Sequence, residues 1–273
     1  MKLSCLPVSF FADIIAGRMS VAEWAAMGAT LGLDGIDLSI LFVPDRSPAA
    51  LAALRQDIEA AGSRVVMVTS YPDFTHPDPA QRERELELEQ EVMAVAAALG
   101  ASFVRVTAGQ AHPETGRAEG IRWAATGLTR LVETTRHLDV TPVYENHAKP
   151  GAWTYTDFCQ PPDIFLEIVK ATAEVGLGLN FDTGNAAAYA ADPLALLDQV
   201  IDQLVTVHAS DTATVGELRH VLLGTGVTPY PAIFNRLKQA GWDGWICMEE
   251  ASFQGQAGVA AAARFIRQAW KGQ

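Results

Sequence analysis

The sequence is poor in cysteine and in positive charge. Only three cysteines occur, Cys5, Cys159 and Cys247, and they are far apart and odd in number, so the sequence predicts neither a disulfide framework nor a CxxC metal site. This cysteine usage is typical of a reducing cytoplasm. Lys and Arg number 20 against 32 Asp and Glu, which gives a formal net charge of -12. Since such a charge repels phosphate backbones, we expect no nucleic-acid partner.

Long apolar runs are also lacking. No stretch approaches the roughly 20 apolar residues of a membrane-spanning helix, so we expect no membrane partner. Pro7 and Asp13 interrupt the apolar N-terminal segment, and no clear small-residue cleavage site follows it. We therefore interpret this segment as the first strand and not as a signal peptide. With 273 residues, 49% of them hydrophobic, the chain can bury a large core, and we expect one domain over residues 1–273.

Apolar strand-like runs alternate with segments of helical period along the chain, which favours a parallel sheet with helical crossovers. The predicted strands are Leu3–Phe10, Asp34–Ser39, Arg64–Ser70, Ser102–Gly109, Thr141–Glu145, Gly176–Asp182, Gln203–Ser210 and Gly244–Glu250. The predicted helices are Ser20–Leu31, Ser47–Ala61, Asp78–Leu99, Arg117–Leu138, Pro162–Val175, Pro193–Ile201, Tyr230–Ala240 and Ala257–Trp270. Eight such repeats in about 250 residues predict an α/β fold, a single-domain (β/α)8 barrel of the TIM type.

Acidic or imidazole side chains lie at the ends of four successive predicted strands: Glu145, Asp182, His208 and Glu249. Side chains alternate between the two faces of a strand, so each of these four residues lies on the same face as the residue two positions before it. We expect this face to point into the barrel, so that all four side chains turn toward its mouth. Three carboxylates brought together repel one another, and a divalent metal removes this conflict. Oxygen ligands with one nitrogen favour Mn²⁺ or Mg²⁺, with Co²⁺ and Zn²⁺ as alternatives.

Longer loops follow the third, fifth and seventh predicted strands, over residues 71–77, 146–161 and 210–228. Loops at the carboxyl ends of barrel strands build active sites, so we expect substrate contacts there. The candidates in these loops are His147, Lys149, Trp153, Asp211, Arg219 and His220, and Asn185, three residues beyond the sixth predicted strand, is a further candidate. For His147, Lys149, Arg219 and His220 the alternative is an ordinary loop position, and for Trp153 it is burial within its own loop. Asp211 would either orient His208 or bind substrate.

The motifs ENH, FDTGN, VHASD, LGTG and GWDGWICME follow in this order from residue 145 to residue 249. In this pattern, over nearly its whole length, the chain resembles the xylose isomerase-like barrels of the sugar isomerase and epimerase superfamily. The resemblance implies that Glu145, Asp182, His208 and Glu249 coordinate the metal. It also implies that Glu145 and Glu249 are catalytic, exchanging a proton with a small sugar or keto-polyol through a metal-stabilised cis-enediolate.

Two positions depart from the ketose 3-epimerase pattern. Asn185 stands where those enzymes often have a histidine, and Gly151 stands where a second substrate-binding glutamate is common. The alternative function is therefore a metal-dependent lyase or dehydratase acting on an inosose or a keto-glycoside. Less favoured are an abasic-site endonuclease, which needs more histidines and a basic groove, and a non-catalytic sugar-binding barrel. A homo-oligomer is compatible with the aromatic residues expected at the surface.

Overall fold

A sheet of eight parallel strands forms the centre of the protein in the computed structural model, which describes residues 1–149, 151 and 153–272. Its strands are β1 Lys2–Leu6, β2 Ile36–Ser39, β3 Val65–Thr69, β4 Phe103–Val106, β5 Thr141–Glu145, β6 Gly178–Asp182, β7 Leu204–Ala209 and β10 Trp245–Glu249. They are ordered β1-β10-β7-β6-β5-β4-β3-β2. Across the seam between the first and last strands in this order, Ser4 Oγ donates to Asp37 Oδ2 at 2.7 Å, so the barrel is nearly closed.

Helices surround this sheet. They are α1 Phe11–Ile15, α2 Val21–Thr30, α3 Pro48–Ala60, α4 Pro79–Ala98, α5 Arg117–Thr135, α6 Pro162–Ala171, α7 Thr183–Tyr189, α8 Pro193–Val200, α9 Tyr230–Gln239 and α10 Gly255–Lys271. The predicted single-domain (β/α)8 TIM barrel is confirmed. Among the described residues, none of the helices combines the length and the apolar character needed to cross a bilayer.

Several helix boundaries follow from local chemistry. Asp78 and Asp192 each precede a proline at the first helical position, and their carboxylates accept hydrogen bonds from Ala80 N and Leu194 N, both at 2.9 Å. Gly100, just beyond α4, has a φ of +74°, which a residue with a side chain rarely adopts. The sequence therefore specifies where these helices begin and where α4 returns to the sheet.

Some predicted elements differ from the structure. The first strand ends at Leu6 and not at Phe10, since a 3-10 helix, Val8–Phe10, and then α1 follow Pro7. The helix α7 was not predicted, and neither was the antiparallel hairpin of β8 Thr212–Thr214 and β9 Glu217–His220, which lies in the predicted loop 210–228. Both elements follow ligand-bearing strands, so these two βα connections have more structure than expected.

Strand residues are divided between two layers of the core. Val143 and Cys247, which alternate with outward residues, pack in a small cluster with Val66, Met67 and Trp245. The neighbours Tyr144, Phe181, Val207 and Met248 belong to the larger cluster, which includes the helices. The predicted alternation therefore turns the face that carries Glu145 and Glu249 toward the barrel interior.

Candidate metal centre

Three side chains at the carboxyl ends of neighbouring strands converge on one point. One donor atom each of Glu145, Asp182 and His208 lies within 4.8 Å of the other two, and all three residues are 0% exposed. The sheet register explains this, since Asp182 lies opposite His208 in the pairing of β6 with β7. Glu145 lies one strand further, opposite Asn180.

Glu249, at the end of β10, completes the group. Its Oε1 lies 3.2 Å from His208 Nδ1, and Glu145 Oε1 lies 3.1 Å from the same nitrogen. The Glu249 side chain is 15% exposed, whereas that of Glu145 is fully buried. All four residues predicted to bind metal are therefore brought together, and their role as ligands stays a prediction.

The four groups perturb one another strongly. Burial, followed by the charges of Glu145 and Glu249, raises the pKa of Asp182 well above its ordinary value. Burial alone would lower the pKa of His208, but the same two carboxylates raise it well above its ordinary value. Burial would likewise raise the pKa of Glu249, and the positive charges of His208 and Arg105 hold it below its ordinary value. The raised pKa values of Asp182 and His208 thus reflect the negative charges of the two glutamates, and the lowered pKa of Glu249 reflects the positive charges beside it.

One carboxylate oxygen of the group, Asp182 Oδ2, is buried without a hydrogen-bond partner in the described part of the chain. The other oxygen of Asp182 accepts hydrogen bonds from Asn185 N at 2.6 Å and from Ser210 Oγ at 2.9 Å. These two hydrogen bonds to Oδ1 orient the Asp182 carboxylate, and Oδ2 stays free to bind a ligand. Buried polar atoms are rarely left unpaired, so this donor set fits a divalent cation.

Arg105 was not identified from the sequence as a residue of the candidate site. This residue lies on β4, is 1% exposed, and stands opposite Val143 in the β4–β5 register, so it faces the barrel interior. Its Nε lies 2.8 Å from Glu145 Oε2, and its Nη1 donates to the carbonyl oxygen of Ser70 at 2.9 Å. The signal was present in the sequence, because a charged residue in a predicted buried strand needs a partner.

The loop after β5 carries three of the predicted substrate-binding residues. His147 Nδ1 lies 3.3 Å from the buried carboxylate of Asp157, and its ring centroid lies 6.4 Å from that of Trp153. Lys149 is exposed, and its Nζ donates to the carbonyl oxygen of Thr154, within the same loop. His147 is close enough to Glu145 for its charge to contribute to the pKa of that group, after burial and the charges of His208 and Arg105.

The remaining substrate-binding candidates follow β6 and β7. Asn185 Oδ1 is buried without a hydrogen-bond partner among the described residues. Asp211 accepts hydrogen bonds from four backbone N–H groups in the segment 212–228. Arg219 is exposed on β9, whereas the neighbouring His220 is half-buried and its charge contributes to the lowered pKa of Glu249. The substrate contacts of all seven candidates stay predictions.

Similar proteins agree with this architecture. An inosose dehydratase of Lacticaseibacillus casei is 25% identical over 141 residues, which cover 46% of this chain and only 45% of that curated relative. A D-tagatose 3-epimerase-like protein has a similar structure, with a TM-score of 0.79, 18% identity and coverage of 99% of this chain and 97% of the other. An IOLI protein with a bound zinc atom has a TM-score of 0.81 and 16% identity, and the two chains are covered to 100% and 99%.

At 18% and 16% identity, these two structures show only that the fold is shared. The family model shows to which family the chain belongs. The model described as "Xylose isomerase-like TIM barrel" matches residues 25–269, which include all four residues at the centre of the candidate site. The resemblance inferred from the motifs is thus confirmed, and the chain belongs to the xylose isomerase-like TIM barrel family.

Proposed function

We propose that the protein is a divalent-metal-dependent isomerase or epimerase of a small sugar or keto-polyol. The convergence of Glu145, Asp182, His208 and Glu249 carries this proposal, because it combines a cation-binding donor set with two carboxylates beside one imidazole. We propose Mn²⁺ as the ion on the basis of the oxygen-rich donor set. The zinc atom in the IOLI structure makes Zn²⁺ the first alternative to test.

The two glutamates would carry out the proton transfer. A bound cation would polarise the carbonyl group of the substrate and so acidify the neighbouring C–H. Glu145 and Glu249 both have a pKa below the ordinary value, because His208 and Arg105 offset their burial, so they are ionised and able to accept a proton. One glutamate would remove the proton to give a cis-enediolate, and the other would return a proton to the opposite face.

The loops at the mouth of the barrel would bind the rest of the substrate. His147, Asn185 and His220 offer hydrogen-bonding atoms close to the ligand group, and Lys149, Trp153, Asp211 and Arg219 complete the proposed contact set. A small neutral carbohydrate is compatible with a chain of net charge -12, since local hydrogen bonds decide its binding. A cytoplasmic location and a homo-oligomer stay predictions from the sequence.

A substrate panel in deuterated water tests the proposal. Ketoses, inosose-like ketones and 3-keto-glycosides would be incubated with protein loaded with Mn²⁺ or with Zn²⁺, and the products followed by NMR. Epimerisation incorporates one deuteron at the inverted carbon without changing the composition of the molecule. We expect Glu145→Gln and Glu249→Gln to reduce turnover by at least about 100-fold, since each removes one proton-transfer group. Full activity of either variant would contradict the proposed mechanism.

The second candidate is a lyase that eliminates water or a glycosyl group next to a ketone. The inosose dehydratase among the relatives favours it, and so do Asn185 and Gly151, which replace residues common in ketose 3-epimerases. Elimination requires the same removal of a proton beside a carbonyl group, but its product has lost the leaving group. The same NMR experiment therefore separates the two functions, because only the lyase gives an unsaturated product.

A further inference from the structure

A permanent positive charge lies inside the candidate metal centre. The Arg105 side chain is 2% exposed and its Nε lies 2.8 Å from Oε2 of Glu145, which is 0% exposed. Burial disfavours the charged guanidinium, but the charges of Glu145 and Glu249 keep the pKa of Arg105 above its ordinary value. Arg105 is therefore a cation that belongs to the site at any pH at which the protein is folded.

The geometry holds this guanidinium in one orientation. Its Nη1 donates to the carbonyl oxygen of Ser70 at 2.9 Å, and its Cζ lies 4.7 Å from the centroid of the Tyr71 ring. The Ser70 hydroxyl donates in turn to the buried Glu89 at 2.6 Å. With Nη1 bonded to Ser70, the residue after β3, and Cζ over the Tyr71 ring, Arg105 directs Nε toward Glu145.

The net charge of the ligand group together with Arg105 matches that of a divalent cation. With an ion bound and its ligands deprotonated, Glu145, Asp182 and Glu249 would contribute three negative charges and Arg105 one positive charge, which leaves two negative charges beside a neutral imidazole. A divalent cation balances this remainder, whereas without Arg105 one buried carboxylate would stay uncompensated. An uncompensated buried charge strongly destabilises a folded protein, even after relaxation.

We propose that Arg105 is a positioning residue that serves as the built-in counter-cation of the metal centre. It holds Oε2 of Glu145 against β4, leaves Oε1 directed to His208, and matches the charge of the ligand group to that of a divalent ion. In the metal-free protein it keeps the buried carboxylates compatible with a folded barrel. The inference rests on the metal site of the proposed function, but its central contact is a pair of the chain's own residues.

Thermal unfolding of four variants tests this role. In the presence of a chelator, Arg105→Met should lower the Tm by about 10 °C, since it removes one partner of a buried ion pair. Added Mn²⁺ or Zn²⁺ should then raise the Tm by more than it does in the wild type, because the ion supplies the missing charge. Arg105→Lys restores the charge without the planar fork and should recover part of the loss.

The double variant separates charge pairing from packing. In Arg105→Met combined with Glu145→Gln the unpaired carboxylate is gone, so the metal-free Tm should rise above that of Arg105→Met alone. Arg122→Met, on an exposed part of α5, is the matched control and should leave the Tm unchanged. If Arg105→Met does not fold, a folded double variant supports the role and an unfolded one contradicts it.

Two results would overturn the inference: a metal-free Tm of Arg105→Met within one degree of the wild type, or a double variant no more stable than Arg105→Met. A failure of the proposed function looks different. In that case metal ions would leave the wild-type Tm unchanged, while the rescue of Arg105→Met by Glu145→Gln would still establish the charge pairing.

Discussion

Glu89 is a buried carboxyl group in a helix segment whose sequence suggests an exposed, charged surface. The residues from Gln81 to Gln90 are dense in Glu and Arg at helical spacing, a pattern typical of a solvated helix face. Glu89 is nevertheless 3% exposed, and it accepts a hydrogen bond from Ser70 Oγ at 2.6 Å. Burial raises its pKa to about 7, against the lowering effects of Ser70 and Arg105.

This shift predicts a pH-dependent stability. The folded protein binds a proton at Glu89 up to about pH 7, whereas in the unfolded chain the proton is lost near pH 4.5, so stability falls as pH rises through this window. Glu89→Gln keeps the acceptor oxygen for Ser70 and removes the titration. We expect it to be nearly neutral at pH 4 and to stabilise the protein by up to about 3 kcal/mol at pH 8.

Urea unfolding between pH 4 and pH 8 measures this difference. Glu87→Gln, an exposed substitution on the same helix, is the matched control and should give a nearly constant difference from the wild type. Parallel profiles for Glu89→Gln and the wild type would show that Glu89 has the same pKa in the folded and unfolded protein, which would contradict the prediction.

At the scale of elements, the strands that carry the ligands were predictable and the connections after them were not. β5 has the predicted bounds, and β6, β7 and β10 end within one residue of prediction, because apolar runs rich in Val, Ile and Leu end at a charged or polar group. The helix α7 was missed because its sequence TGNAAAY begins with poor helix formers. The Asp182 carboxylate accepts a hydrogen bond from Asn185 N and so stabilises the first turn, a contact that depends on the strand before it.

The same distinction applies to the candidate site. Glu145, Asp182, His208 and Glu249 were identified from position alone, since the ends of parallel strands meet at one rim. Arg105 was missed because β4 was assigned from its hydrophobicity, and hydrophobicity does not reveal which partner compensates a buried charge. The contacts of loop residues such as Lys149 were equally unpredictable, because they depend on how each loop folds back on itself.

The β8–β9 hairpin depends on one carboxylate. Asp211 accepts hydrogen bonds from Thr212 N and Thr228 N through Oδ1, and from Gly224 N and Gly226 N, both at 2.9 Å, through Oδ2. In Asp211→Asn the amide nitrogen would face N–H donors, so we expect a loss of about 2 kcal/mol in the free energy of unfolding. His220, at the end of the hairpin, would become less well positioned near Glu249.

Hydrogen exchange and kinetics check this prediction together. Exchange of the amides in residues 212–228 should accelerate, and KM should rise more than kcat falls if the hairpin binds substrate, while metal content stays unchanged. Asp202→Asn, at an exposed position before β7, is the control. If Asp211→Asn lost its metal, the result would instead indicate that the Asp211 carboxylate orients His208 as a ligand.

At the scale of the whole molecule, the candidate ligands connect distant parts of the chain. Glu145 and Glu249 are separated by more than one hundred residues, yet they lie on strands of one continuous sheet. The apolar cluster inside the barrel likewise joins β3, β5 and β10 through Val66, Val143 and Cys247. An ion held by these side chains would therefore stabilise the barrel as a cooperative unit and not a local segment.

This cooperativity predicts the response of the wild type to metal. An ion at 100 times its Kd should add about 2.7 kcal/mol to the free energy of unfolding, which corresponds to a rise in Tm of roughly 5 °C in a single transition. Asp182→Asn should abolish most of this rise, because it removes a ligand charge while keeping the oxygen that accepts from Asn185 N. Asp192→Asn is the matched control, since Asp192 caps α8 as Asp182 caps α7 but is not a member of the ligand group, and it should preserve the rise. If metal raised the Tm of the two variants equally, Asp182 would not be a ligand. Two separate thermal transitions would contradict the view that the barrel unfolds as one unit.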